Sequence, residues 1–389
     1  MNGKEDILKK YICIQPFQHV EFFQEELTLC CPTWLDTKIR FNKKDGEYDY
    51  DVWNSELIQN IRKSILDGTY SYCDKSACPH LSTLINTQTP TGYFIEKDKL
   101  PYTDPRGYKI ENKTYNDQTP ASINFTYDRS CNLKCPTCRL DTIMAKPDEI
   151  LQIDKITDFI KTKYSKDARK LDITGSGDPF ASKSFRKFLI EFDPKLWPNL
   201  DEIYITTNGN LFNKQNWNLI KKAQPYIKMV EISIDAATKD TYENIVRLNG
   251  KWDVLMENLV FISQIESIKI LRCSFVVQKD NYKEMLPFAK LIYEQAIERI
   301  KNQQTSSSTW VYFGKIAQWG HITDAKFKDA SVWDPEHENY NDFVNEVNKL
   351  YAYEKSFDNM GFGGINIMSN FTDLIRNDEK KIIKNNKLI

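Results

Sequence analysis

Histidine is scarce in this chain. Four stand among 389 residues (His19, His80, His321 and His337), so any cluster of soft metal ligands must be mostly thiolate. Charge of one sign is missing as well. Lys and Arg number 53 against 54 Asp and Glu, a formal net charge of −1. That balance removes the electrostatic footprint of a duplex-binding or membrane-surface protein, and the lysines form no basic tail. No apolar run reaches the roughly 18 residues that a spanning helix needs. The opening residues, MNGKEDILKKYICIQPF, carry Glu5 and Asp6 early and lack the apolar stretch of a signal peptide. A soluble, cytoplasmic protein with no membrane and no nucleic-acid partner is expected. Internal repeats and low-complexity tracts are absent too.

What is present points elsewhere. Hydrophobic residues at 41% and aromatics at 13% suffice for a packed interior and exclude global disorder. The length exceeds what one core ordinarily fills, so one large and one smaller domain are expected. Nine cysteines, an odd count in a cytoplasmic chain, favour metal or redox chemistry over a disulfide framework. Five lie early (Cys13, Cys30, Cys31, Cys73 and Cys78), three sit together (Cys131, Cys135 and Cys138), and Cys273 stands alone. Cys273 alternates with Leu271, Phe275 and Val277 and reads as core.

A turn-rich stretch from Thr89 to Thr119, holding Pro90, Gly92, Pro101, Pro105 and Gly107, reads as a linker or irregular arm. Beyond it, strand-like runs alternate with amphipathic segments. The pattern predicts strands at Ser122–Tyr127, Lys170–Thr174, Glu202–Thr207, Met229–Asp235, Ile268–Val277 and Thr309–Phe313. Helices are predicted at Pro147–Tyr164, Lys183–Phe192, Trp252–Gln264 and Tyr282–Ile297. Strand and helix alternating six times argue for a parallel sheet with right-handed crossovers, either part of a barrel or an open doubly wound sheet. Chemistry then gathers on the loops after the strand C-terminal ends. The earlier block has strand-like pieces at Glu26–Cys31 and Lys38–Asn42, a turn at Gly46 and a helix at Val52–Leu66. Its apolar content is too small for a self-sufficient core, which calls for a metal or for docking. Residues 1–118, 119–320 and 321–389 are the expected divisions, the last a solvated or capping extension.

The sharpest signal is Cys131-Asn-Leu-Lys-Cys135-Pro-Thr-Cys138, directly after the first of these strands. Three thiolates on one short loop can hold three irons of a four-iron cluster that ordinarily takes four cysteines, leaving one position open. A zinc knuckle, or a cluster completed by a distant cysteine, is the plainer alternative. No second C-x2-C hook or histidine pair follows to complete a zinc site.

With these residues in view, the chain resembles the radical S-adenosylmethionine enzymes, whose signature is a C-x3-C-x2-C loop after the first strand of a partial (β/α)6 barrel. Gly175-Ser176-Gly177-Asp178-Pro179 resembles the family's GGE-type loop for the methionine amino group, with Asp178 in place of the commoner Glu. Asn208-Gly209 sits where members carry a TNG-like turn, and Ser233-Ile-Asp235 resembles the S-x-D that contacts the cofactor's ribose and amino-acid end. Thr137 stands where many members place an aromatic, and Val276, Gln278 and Asn281 replace the glycine-rich motif after strand five. The resemblance covers residues 121–320. It implies a α/β fold, a partial (β/α)6 TIM-like barrel, that binds a [4Fe–4S] cluster and S-adenosylmethionine. It also implies reductive cleavage to a 5′-deoxyadenosyl radical that abstracts hydrogen from a substrate, with a flavodoxin or ferredoxin as electron donor.

The early cysteines fit the same resemblance. The stretch from Cys30-Cys31-Pro32-Thr33-Trp34 through Trp53-Asn54 and Ile61-Arg62 to Cys73-x4-Cys78-Pro79 looks like a SPASM-type module, which in relatives follows the barrel. The resemblance implies an auxiliary [4Fe–4S] cluster in a small N-terminal iron–sulfur domain, held by Cys13, Cys30, Cys73 and Cys78, with zinc as the alternative metal. Neighbouring strand residues face opposite ways, so one of Cys30 and Cys31 is surplus. Arg247 resembles an arginine that related enzymes carry after strand four. Trp310, Tyr312 and Trp319 read as aromatic core before pocket lining. Peptide or protein side chains come first as substrates by analogy, with a sugar or other small metabolite behind them. A non-catalytic iron–sulfur or zinc protein for electron transfer or scaffolding is the competing reading.

Overall fold

The computed structural model describes residues 3–173, 176–302, 308–318, 322–358 and 365–369. Two compact units emerge, each discontinuous in sequence. The first takes Met1–Arg129, Ala145–Gly177 and Lys183–Ile203, and the second takes Ser130–Met144, Asp178–Ser182 and Tyr204–Ile389. The fold is mixed α/β with parallel sheet.

The strands of the first unit, in chain order, are β1 (Tyr11–Cys13), β2 (His19–Phe22), β3 (Glu26–Thr28), β4 (Ile39–Arg40), β5 (Asn42–Lys44), β6 (Glu47–Asp49), β7 (Phe94–Glu96), β8 (Tyr102–Thr103), β9 (Lys109–Ile110), β10 (Ser122–Phe125) and β11 (Lys170–Ile173). Strands β1/β7, β5/β6 and β8/β9 form small antiparallel pairs. The main sheet here runs β11-β10-β2-β3-β4, parallel across β11, β10 and β2 and antiparallel beyond. Residues on both sides of position 118 therefore share one unit, because the short strand β2 lies directly against β10. The pattern His-Val-Glu-Phe is too short and too polar to announce a strand by itself.

The register of these three strands separates two kinds of side chain. Val20, Ile123 and Leu171 align, as do Phe22, Phe125 and Ile173, and all six are fully buried. Phe185 and Phe188 of the helix Lys183–Ile190 close on Phe125, while Phe159 and Tyr164 close on Phe22. Burying each such side chain contributes about 1.5–3 kcal/mol. On the opposite face, His19, Ser122 and Lys170 make one row and Glu21, Asn124 and Asp172 the next. The single helix predicted over Pro147–Tyr164 is an α-helix to Phe159 continued by a π-turn at Ile160–Tyr164.

The turn-rich arm is pinned rather than free. Tyr108 donates its hydroxyl to the carbonyls of Phe17 and Thr119, and Trp53 donates to Gln118. Arg62, wholly buried on the helix Glu56–Leu66, donates to the carbonyls of Pro16, Trp53 and Thr114 and to Asn54 Oδ1.

The second unit carries β12 (Glu202–Thr207, continuing from the first unit), β13 (Ile227–Ser233), β14 (Ile270–Val277), β15 (Ser308–Lys315) and β16 (Ile365–Ser369) in the order β16-β15-β14-β13-β12. β13, β14, β15 and β16 pair in parallel. Alternation again splits the faces. Ile232, Cys273, Phe275, Val311 and Phe313 are buried, the last four on strands where Phe288 of the helix Met285–Asn302 packs at a tilt against Phe275 and edge-on against Phe313. Glu231, Ser233, Arg272, Ser274, Trp310 and Tyr312 share the other face by register. Trp310 and Tyr312 therefore do not belong to the aromatic core, as the sequence suggested. They are half-buried on the polar face, one residue out of phase with Val311 and Phe313. Trp319 and the end of the C-terminal extension lie outside the described residues, which include a helix at Tyr340–Asp358 in that extension. Among the described residues no helix is long and apolar enough to cross a membrane.

Candidate functional site

In the second unit, the loop at residues 130–144 folds the cysteine triplet into one apolar nook. Leu133, fully buried, is its peg, with Cys131 and Cys135 buried and Cys138 packed against them. The Cys131 N–H donates to the Ile143 carbonyl at 2.8 Å, and the Lys134 N–H donates to the Leu248 carbonyl at 3.0 Å. Both Cys138 and Arg139 donate their N–H groups to the Cys135 carbonyl at 2.9 Å, a turn that folds Cys138 back toward Cys135.

Each thiol has a side-chain nitrogen beside it. Arg139 Nη2 donates to Cys138 Sγ at 3.4 Å and Arg247 Nη1 to Cys135 Sγ at 3.5 Å. Asn208 Nδ2 lies 3.8 Å from Cys131 Sγ and is held there by Asn132 Oδ1 at 2.9 Å. Burial pushes the Cys131 thiol up to about 11, with Arg139 acting in the opposite direction. Burial also raises Cys135, against the pull of Arg247. These cationic and amide donors favour thiolate, the form in which cysteine holds metal.

Asp178 is the hub of the neighbouring loops. One carboxylate oxygen accepts the N–H groups of Phe180 and Ala181, and the other accepts the Thr207 hydroxyl at 2.7 Å and the Asn208 N–H at 2.8 Å. Its own N–H donates to the Ser130 carbonyl at 2.8 Å, beside the cysteine loop. Burial raises its pKa, and the four donors oppose that rise. The carboxylate thus ties the loop that follows it to the turn after β12. Gly177 forms a bend just ahead of it, and Gly175 lies outside the described residues.

Asn208-Gly209 turns the chain after β12. Gly209 has φ +79°, and a Cβ there would meet Leu255 Cδ1 at 2.6 Å, so only glycine fits. Buried Asn258 holds the turn by donating to the Gly209 carbonyl at 2.8 Å. Ser233 ends β13, within 3.3 Å of the Ser274 hydroxyl. Asp235 sits at φ +63°, an uncommon conformation for a non-glycine residue, and accepts the Val276 N–H at 2.7 Å. Its other oxygen meets Arg247 Nη2 at 2.6 Å. Burial works against the Arg247 charge, but Asp235, Cys135 and Tyr242 outweigh it and hold its pKa above the ordinary value. Arg247 is thus clamped between Asp235 and Cys135.

The N-terminal thiols meet within the first unit. Cys13, Cys30, Cys73 and Cys78 line one small apolar cavity together with Trp34, His80 and Tyr93. Cys13 comes from the end of β1, and Cys78 caps the helix Pro79–Thr87, its sulfur accepting the Leu81 N–H at 3.4 Å. Between Cys73 and Cys78, Asp74 accepts the N–H groups of Ser76 and Ala77 and shapes the loop. Burial raises the pKa of all four thiols, and a neighbouring thiol adds to it in each, which for Cys78 is Cys31. Cys31 is not part of that lining and its sulfur lies 3.2 Å from the exposed Thr33 hydroxyl, yet it is near enough to Cys30 and Cys78 to raise the pKa of both. Among the described residues, no group of three or more His, Cys, Asp or Glu side chains is close enough to hold a single metal ion.

No protein-family model matches the chain. It is similar to an S-adenosylmethionine-dependent nucleotide dehydratase of Siniperca chuatsi, 29% identical over 36% of this chain and 38% of that protein. It is also similar to the GTP 3′,8-cyclase of Helicobacter pylori strain HPAG1, 30% identical over 48% of this chain and 57% of that one. The chain thus spans less than two thirds of the length of these relatives. The solved structure of Streptococcus suis SuiB, bound to its precursor peptide SuiA, aligns with 85% of this chain and 57% of its own at 15% identity, with a TM-score of 0.44. The sequence relatives support the radical S-adenosylmethionine superfamily, which implies a [4Fe–4S] cluster and S-adenosylmethionine.

Proposed function

We propose, with that superfamily as premise, an enzyme that reductively cleaves S-adenosylmethionine and abstracts hydrogen from a polar substrate. The observation that carries this reading is the trio of thiols in one nook, each beside an N–H donor and all on one short loop. Cys131, Cys135 and Cys138 would hold three irons of a [4Fe–4S] cluster, a donor set whose chemistry fits. When bound, the cluster supplies the electron that cleaves S-adenosylmethionine and starts hydrogen abstraction.

The chain's own residues orient and enclose. Gly175, Gly177, Asp178, Asn208, Ser233 and Asp235 would meet the cofactor, with Asp178 also tying together the loops around it. Cys13, Cys30, Cys73 and Cys78 would hold an auxiliary [4Fe–4S] cluster, supported by their common cavity. The division into an auxiliary domain (1–118), a partial (β/α)6 barrel (119–320) and a C-terminal extension (321–389) belongs to the same proposal. So do a flavodoxin or ferredoxin donor and a cytoplasmic setting. The polar sheet faces support a hydrogen-bonding substrate. A peptide or protein side chain and a small metabolite such as a sugar are the classes to test, and the relatives' names add nucleotides.

The test is anaerobic reconstitution, dithionite reduction and addition of S-adenosylmethionine, with 5′-deoxyadenosine read by mass spectrometry. Wild type should form it and Cys135→Ala should not. A loaded cluster whose EPR signal ignores S-adenosylmethionine, with no deoxyadenosine, would leave an electron carrier instead.

A further inference from the structure

Two buried guanidinium groups flank the cysteine loop, and the superfamily reading does not need them to hold iron. Arg139 reaches Cys138 and Arg247 reaches Cys135, and both arginines are largely shielded from water. Arg247 is also paired at 2.6 Å with Asp235, whose carboxylate is fixed by the Val276 N–H. A fixed positive charge beside a sulfur stabilises whichever redox form carries more negative charge, and shielding from solvent magnifies the effect.

We infer that Arg139 and Arg247 are positioning residues that raise the midpoint potential of a cluster on Cys131, Cys135 and Cys138, and that Asp235 sets the strength of the second by partly neutralising it. This inference rests on the cluster reading above. The step concerned is one electron passing from the donor to the cluster, with no bond made or broken in the protein. The reduced form carries one more negative charge and gains more from both guanidiniums. Asp235 opposes Arg247 at close range, so the three groups act with predictable and opposite signs.

The experiment is an anaerobic redox titration of the reconstituted full chain without S-adenosylmethionine, followed by EPR. The signal followed is the one that Cys135→Ala abolishes, and iron is counted in every variant. Arg139→Gln and Arg247→Gln should each lower the ratio of reduced to oxidised cluster at a fixed potential by roughly tenfold, ~59 mV for a one-electron couple. Arg247→Lys should stay near wild type because it keeps the charge. Asp235→Asn should move the potential upward, since it leaves the Arg247 charge uncompensated. Wild-type potentials in both glutamine variants at full iron content would overturn the inference. A downward shift in Asp235→Asn would do the same, marking a merely structural role. Should both glutamine variants fail to load iron, the direction of the Asp235→Asn shift decides alone. A wild-type chain with no signal sensitive to Cys135→Ala overturns the cluster reading itself, and the inference with it.

Discussion

Arg62 is wholly buried and Glu21 half-buried, and the two meet their surroundings in opposite ways. Arg62 spends its N–H groups on oxygens of neutral groups at Pro16, Trp53, Asn54 and Thr114, with its guanidinium 4.2 Å from the Trp53 ring centre. Removing it leaves several buried acceptors unpaired, at roughly 1–3 kcal/mol for each group left unsatisfied. Arg62→Ala should therefore lower the urea unfolding free energy by about 3 kcal/mol or more, and Arg62→Lys should recover only part because an ammonium lacks the planar fork. Glu21 sits in the row with Asn124 and Asp172, where burial lifts its pKa from 4.5 to about 7, with Asp172 adding to the rise. Between those two values the folded state holds a proton that the unfolded state has lost, so stability falls as pH rises through the window. Glu21→Gln abolishes that slope and should gain up to about 3 kcal/mol on wild type between about pH 4.5 and 7. Denaturant melts across the range measure it. At this scale the residue types were legible in the sequence, but their partners were not. Arg62 is bonded to carbonyls up to 52 positions away, and a carbonyl leaves no trace in the pattern of side chains.

At the scale of the element, the strand alternation decides what a substitution does. Cys273 lies on the apolar face of β14, so Cys273→Ser should cost about 1–3 kcal/mol in stability and leave iron content unchanged. Asp178 gathers the loop that follows it, the turn after β12 and the Ser130 carbonyl. Asp178→Ala should lower iron retained after desalting and weaken S-adenosylmethionine binding together, and isothermal titration beside an iron assay reads both. The strands from β10 to β15 were legible from apolar periodicity, and so were the longer helices between them, but the short helix Lys214–Leu219 was not. Strand β2 was not, since it is only four residues long and its place is set by pairing with β10. Boundaries shifted where local chemistry intervened, as at the π-turn that ends the helix after Pro147. The cysteine spacing showed which thiols belong together, while Arg139 and Asn132 carried no signal that spacing can supply.

Each unit concentrates thiols in one place, and Cys273 is buried on β14 of the second unit. Full reconstitution should give about eight irons per chain, and either Cys135→Ala or Cys73→Ala should remove about four of them. Loss of about four irons in the first variant, with one zinc bound per chain in wild type, would make the N-terminal metal zinc. The two faces of the parallel strands have a further consequence for diversification. Residues that pack the scaffold and residues that face the polar side alternate along each strand, so their mutational tolerances are uncoupled. A library confined to the half-buried Trp310 and Tyr312 would vary the polar face while sparing Val311 and Phe313 behind it and the Arg272–Glu231 ion pair beside it.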